Sequence, residues 1–277
     1  MSRLLRQGGD FDFSMSFTKV VVGLAFLSSV SLATQAEQTN PPEAAVQLTI
    51  SAPAELNPAI TQLARAFEQK SSKPVQITVE PWENRRSPIR KPPVFDALFS
   101  PDTNEVQRLA ASGAISSVRE VARDQLVICI SPLVRVEFPP RNPLLGLKEK
   151  AVSSIVIPDP RTVYGRAAKQ ALKSIKVYSP VIAEKLAVGK DLSDVAQLME
   201  RGDASAAILP KSALETYSLR GTRVIPIAQS LYPPIRIGTG ISRRSKHKQE
   251  TMQFLRFAIS PGGQKVFRQS GFSASKR

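Results

Sequence analysis

The chain has 277 residues, 42% hydrophobic and 22% charged, the composition of an ordinary soluble globular protein with length for two modest domains or one large one. Its formal net charge is +15, yet no helix-turn-helix, zinc-finger or RNP pattern accompanies that charge, which argues against a nucleic-acid partner. One cysteine, Cys129, and one histidine, His247, exclude an intramolecular disulfide, a Cys/His metal site and a His-based triad or Cys–His dyad, so an enzyme is not expected.

Two readings of the charge remain: a positive field that steers an anion to its site, or a solvated basic surface facing acidic envelope polymers. Residues 1–36 read as a secretory signal peptide, with Met15 as an alternative start. A short basic segment at 15–19 leads into the apolar run Val20–Leu27 and a small-residue exit at Thr34-Gln-Ala36, too short an apolar stretch to span a membrane comfortably. No lipobox cysteine follows. The spacing then predicts a buried strand over Val46–Ser51. An amphipathic helix over Pro58–Lys70 follows, with Ile60, Leu63, Ala64 and Phe67 on one stripe. A second strand is predicted over Val75–Val79, giving a parallel β-α-β opening. Residues 81–93 interrupt this pattern with four prolines and four basic residues.

Val94–Phe99 reads as a strand carrying Asp96, and Thr103–Ala111 as a helix stopped by Gly113. Leu126–Ser131 is taken as the first crossing between domains, with Cys129 as a buried thiol. A strand at Ser154–Ile157 leads through Pro158–Gly165 into a helix at Arg166–Ser174. Leu192–Arg201 (helix), Ala206–Leu209 (strand), Lys211–Tyr217 (short helix) and Val224–Ile227 (strand) follow, and Pro234–Gly240 returns the chain to the first domain. Strand–helix alternation of this kind predicts an α/β protein with mostly parallel sheets. Asp96 and Asp102 are paired carboxylates in sequence, but aspartate at strand ends commonly caps helices. His247 is placed in an exposed basic turn.

Four ordered stretches carry a resemblance: Leu48–Phe67, Phe95-Asp-Ala-Leu-Phe-Ser-Pro-Asp102, Ile155–Gly165 with the helix after it, and Ser260-Pro-Gly-Gly-Gln through Gly271-Phe272. Together with Asp194–Leu209 they resemble the periplasmic molybdate-binding family of ABC-importer solute-binding proteins, over roughly residues 46–272. The resemblance implies a two-lobed periplasmic-binding fold with a hinge of two crossing strands. Lobe 1 would comprise 46–125 plus 230–277, and lobe 2 would comprise 126–229. It also implies a periplasmic monomer that captures a small oxyanion of the molybdate or tungstate type and passes it to an inner-membrane ABC permease. It implies no cofactor and no metal cation, the metal oxyanion itself being the ligand.

The family holds its oxyanion with serine hydroxyls, helix-start N–H groups and a tyrosine hydroxyl, which suits the physics of anions at helix N-termini. Carried onto this sequence, those positions fall on Ala54, Glu55, Trp82, Glu83, Leu192 and Pro210, with Tyr164 as a replacement hydroxyl. Glu55 stands where a serine is expected, and a carboxylate there repels a dianion unless it points away or meets an arginine. Pro210 replaces the tyrosine and brings neither hydroxyl nor N–H. Trp82 either lines the cleft or packs under its own loop. Arg85, Arg86, Arg90 and Lys91 either supply charge to the site or lie on a solvated loop. These departures leave a second expectation open: a binding-protein scaffold with a cleft remodelled for another anion or organic acid, or one that binds a partner without a ligand.

Overall fold

The computed structural model describes residues 45–72, 74–81, 95–174 and 180–275. The expected leader at 1–36, Trp82, Glu83 and the basic residues of 85–91 lie outside the described residues. The opening unit is β1 (Val46–Ala52), α1 (Asn57–Glu68) and β2 (Val75–Pro81), with β1 and β2 parallel and in register from Val46 opposite Val75. The stripe Ile60, Leu63, Ala64 and Phe67 is buried, because spacings of three and four residues put all four on one helical face.

β3 (Ala97–Ser100) is shorter than expected and starts after Asp96, whose side chain serves a different purpose. Its carboxylate accepts from Thr49 N at 2.8 Å and from Ser245 Oγ at 2.6 Å, so it ties chain segments together instead of capping a helix. Asp102 does cap α2 (Thr103–Ala111), accepting from the N–H groups of Asn104 and Glu105. β4 (Ile115–Asp124) follows, a ten-residue strand that the apolar pattern does not reveal.

β5 (Leu126–Ile130) begins after the single residue Gln125 and lies wholly in the second sheet. The first passage between sheets is therefore Asp124–Leu126, not the strand Leu126–Ser131 itself. A 3-10 turn at Pro143–Lys148 leads to β6 (Ile155–Pro158), α3 (Val163–Ser174), α4 (Pro180–Lys185), β7 (Leu186–Gly189), α5 (Leu192–Glu200), β8 (Ala206–Pro210), α6 (Ala213–Thr216) and β9 (Arg223–Pro226). A second passage through Tyr232-Pro-Pro234 delivers β10 (Ile235–Ser242) back to the first sheet. α7 (Lys248–Ile259), α8 (Pro261–Gln269) and β11 (Ser273–Ala274) complete the described chain. His247 is half-buried at the start of α7, where its carbonyl accepts from Thr251 Oγ1.

The first sheet runs β11-β4-β10-β3-β1-β2 and the second β7-β6-β8-β5-β9. Each is mixed. The β-α-β units pair in parallel (β1 with β2 and β3, β6 with β7 and β8). The strands at the passages break that pattern: β10 inserts antiparallel between β3 and β4, and β5, entered directly from β4 through Gln125, pairs antiparallel with β8 and β9. One core gathers Phe67, Phe99, Phe254 and Phe267 around α1, α7 and α8, with Phe67 and Phe254 edge-to-face at 5.5 Å. The other packs α3 and α5 on β5, β6 and β8. No described helix is long and apolar enough to cross a membrane.

Candidate functional site

In an open α/β sheet, the crevice outside the carboxyl ends of parallel strands is where loops and helix starts converge. Here the carboxyl ends of β1, β3 and β6 meet at a cavity of about 210 Å³. Glu55 comes from the turn after β1, Ser100 from the end of β3, Asp102 and Glu105 from the start of α2, and Arg161–Tyr164 from the turn before α3 and its first turn. α3 starts three residues earlier than its apolar pattern predicts. Thr162 is the reason: its hydroxyl accepts from Gly165 N at 3.1 Å and so draws Val163 and Tyr164 into the first turn. Glycine is required at 165, because a Cβ there would lie 2.1 Å from the carbonyl oxygen of Asp159. The turn is braced by Arg161, whose guanidinium meets Asp159 and holds that carboxyl below its ordinary range.

Behind the cavity, at the first passage between sheets, is a buried polar cluster. Asp124 is fully buried. Its carboxylate accepts from Ser212 Oγ at 2.5 Å, Gln125 N at 2.8 Å and Tyr164 Oη at 3.4 Å. Burial outweighs these hydrogen bonds and pushes its pKa up to about 6. Tyr232, from the second passage, accepts from Leu126 N at 2.8 Å. Both passages are thus fastened at one point. Burial, followed by the charges of Asp124 and Glu55, raises the Tyr164 hydroxyl well above its ordinary range. The Tyr217 hydroxyl is pushed up to about 12 by burial and then by Glu55 and Asp191, which places those two carboxylates within electrostatic reach of it.

The positions named from sequence have different placements. Ala54 is exposed in the turn after β1, and Glu55 is half-buried beside it on the cavity. Tyr164 lines the cavity, but its hydroxyl donates to Asp124. Leu192 is buried in the second core at the first turn of α5. The N–H groups at that end of the helix are partly claimed, since Asp191 accepts from Asp194 N. Pro210 ends β8, paired with Leu126 in the sheet. Trp82 and Glu83 lie outside the described residues. Asp124, Arg161, Thr162, Ser212 and Tyr217 were not singled out from sequence. Arg161 and Thr162 follow a Pro-Asp-Pro turn, a signal for a helix start. Tyr217 and Ser212 flank a four-residue helix with no periodicity to read.

The cleft therefore differs in chemistry from a cage of neutral donors. Ser212 and Tyr164 direct their hydroxyls to Asp124, and Ser100 directs its own to Glu105 at 3.0 Å. The N-termini of α2 and α5 carry their own caps, Asp102 and Asp191. Among the described residues no group of three or more His, Cys, Asp or Glu side chains is placed to hold a metal ion.

A protein-family model described as bacterial extracellular solute-binding protein matches residues 48–273. YvgL of Bacillus subtilis (strain 168), described as an ABC transporter substrate-binding lipoprotein, is 24% identical over 244 residues, covering 84% of this chain and 88% of its own length. Among solved structures, the substrate-binding domain described as that of a molybdenum ABC transporter from Clostridium difficile superposes with a TM-score of 0.69 at 20% identity, over 84% of this chain and 100% of that one. The periplasmic molybdate-binding protein of Azotobacter vinelandii superposes with a TM-score of 0.64 at 18% identity, over 83% of this chain and 100% of that one. These likenesses fix the fold as that of two-lobed periplasmic binding proteins, and the family match extends from β1 to β11. The chain belongs to the bacterial extracellular solute-binding protein family.

Proposed function

We propose that this chain is a periplasmic solute-binding protein that delivers a small organic acid to an ABC permease. Its two sheets would be the cores of two lobes that close on the solute. The observation that carries the choice of solute is the reassignment of donors. The serine and tyrosine hydroxyls and the capped helix starts are engaged inside the protein. An anionic group is left with the first turn of α3, beside the exposed Arg161, where the cap is the neutral Thr162 and not a carboxylate as at α2 and α5, so the positive end of the helix dipole is not offset by a charged cap. A carboxylate of the solute fits that corner, and its polar remainder lies toward Glu55 and Tyr217.

A tetrahedral metal oxyanion is the second reading, supported by the ligands of structurally similar proteins. Calorimetric titration with molybdate, tungstate, sulfate and a panel of small carboxylic acids separates the two. The expected result is binding of a carboxylic acid, weakened about tenfold, or ~1.4 kcal/mol, by Arg161→Ala, with little heat from molybdate. Micromolar or tighter molybdate binding would overturn the organic-acid reading in favour of the oxyanion. A folded protein silent toward every ligand would sink both.

A further inference from the structure

α3 has a second face with a different chemistry. Arg166, Lys169 and Lys173 recur at helical spacing along it, and with Gln170 they line a cavity of about 590 Å³. The volume lies in the range of small-molecule sites. Thr103 and Asn104, from the first turn of α2, contribute polar groups, and Pro233 and Pro234 of the second passage form a stiff boundary. The one acidic side chain lining this cavity, Asp102, is already engaged: it caps α2 and lies 3.6 Å from Arg166. Among the described residues, Lys169 and Lys173 form no ion pair with a carboxylate, although Lys169 is half-buried.

Seven residues of α-helix rise about 10 Å, so the three cations are spread over that length. For one tetrahedral ion to meet all three, the side chains would have to converge from along that length. A molecule with several negative groups distributed along it matches that spread, and its contact with the half-buried Lys169 would be made at a partly desolvated wall. We propose that this cavity is a second binding site, for a small soluble polyanion such as an oligophosphate or a tricarboxylate. Its walls come from α2, beside the first sheet, and α3, on the second, so a bound polyanion would span the two. The proposal is independent of which solute the cleft takes.

The test is titration of the full chain with tripolyphosphate and with citrate at about 50 and about 200 mM salt, conditions that differ in screening length. Saturable binding is expected for both probes, weaker at the higher salt. Lys169→Glu/Lys173→Glu should weaken it at least about tenfold. Arg243→Glu/Arg244→Glu, in an exposed basic turn elsewhere, should leave it within about twofold. Lys169→Ala/Lys173→Ala serves in place of the double reversal if that variant does not fold. No saturable heat from either probe would overturn the proposal. So would equal losses in the Lys169/Lys173 and Arg243/Arg244 variants, which would mark a general response to surface charge.

Discussion

Asp124 has an electrostatic cost that the rest of the fold must carry. Its pKa rises from 3.8 to about 6 on folding, so between those values the folded chain binds a proton that the unfolded chain releases. The associated stability is fully present below pH 3.8 and is lost as pH rises through about 6, a difference on the order of 3 kcal/mol for a fully buried group. Asp124→Asn keeps an acceptor for Ser212 and Gln125 and removes the titration. Urea unfolding at several pH values should show the native chain losing stability relative to the variant as pH rises from 4 to 7. Parallel curves would mean that Asp124 does not titrate in this window. At Ser212, replacement by alanine leaves the buried carboxylate short of its nearest donor and should cost about 1–3 kcal/mol, measured in the same unfolding experiment.

At the scale of elements, the corner between α7 and α8 is the tightest joint in the first core. Ser260 caps α8 by accepting from Gly263 N, and a Cβ on Gly263 would lie 2.2 Å from the carbonyl oxygen of Phe257. Gly263→Ala must therefore splay the corner and should destabilise the chain by about 1–3 kcal/mol, with a matching fall in the urea midpoint. This joint was legible in sequence, because a Ser-Pro-Gly-Gly helix start follows a regular apolar stripe. The α1 stripe was legible for the same reason, and the two-lobe class was legible only through the family resemblance of the four ordered stretches. β4 was not. It carries Ser116, Ser117, Arg119, Glu120 and Arg123 within one strand, and register shifts against β10 break the two-residue alternation that marks a strand. Ser117 even adopts a left-handed backbone, with φ at 56°. In the cleft, the turn holding Tyr164 was legible as a site candidate. The direction of its hydroxyl was not, because that depends on Asp124, forty residues away in the chain.

For the whole molecule, the two sheets are linked by passages that share one polar fastening, Asp124 with Ser212 and Tyr164 beside Tyr232 with Leu126. A solute that draws the lobes together should lower the radius of gyration in small-angle scattering and raise the melting temperature with its concentration. A rise in melting temperature at constant radius would show binding without closure. Cys129, buried at the centre of β5 with its thiol pushed up to about 12, adds a reporter that the first sheet lacks. A thiol-reactive dye can modify this protein only after the packing that covers Cys129 on the face of β5 has opened. Labelling kinetics would therefore clock the opening of the second sheet's core by itself. If the two sheets come apart separately, the clock will start before the Phe67–Phe254 core has melted, and the molecule will have recorded the order of its own unfolding in a single covalent bond.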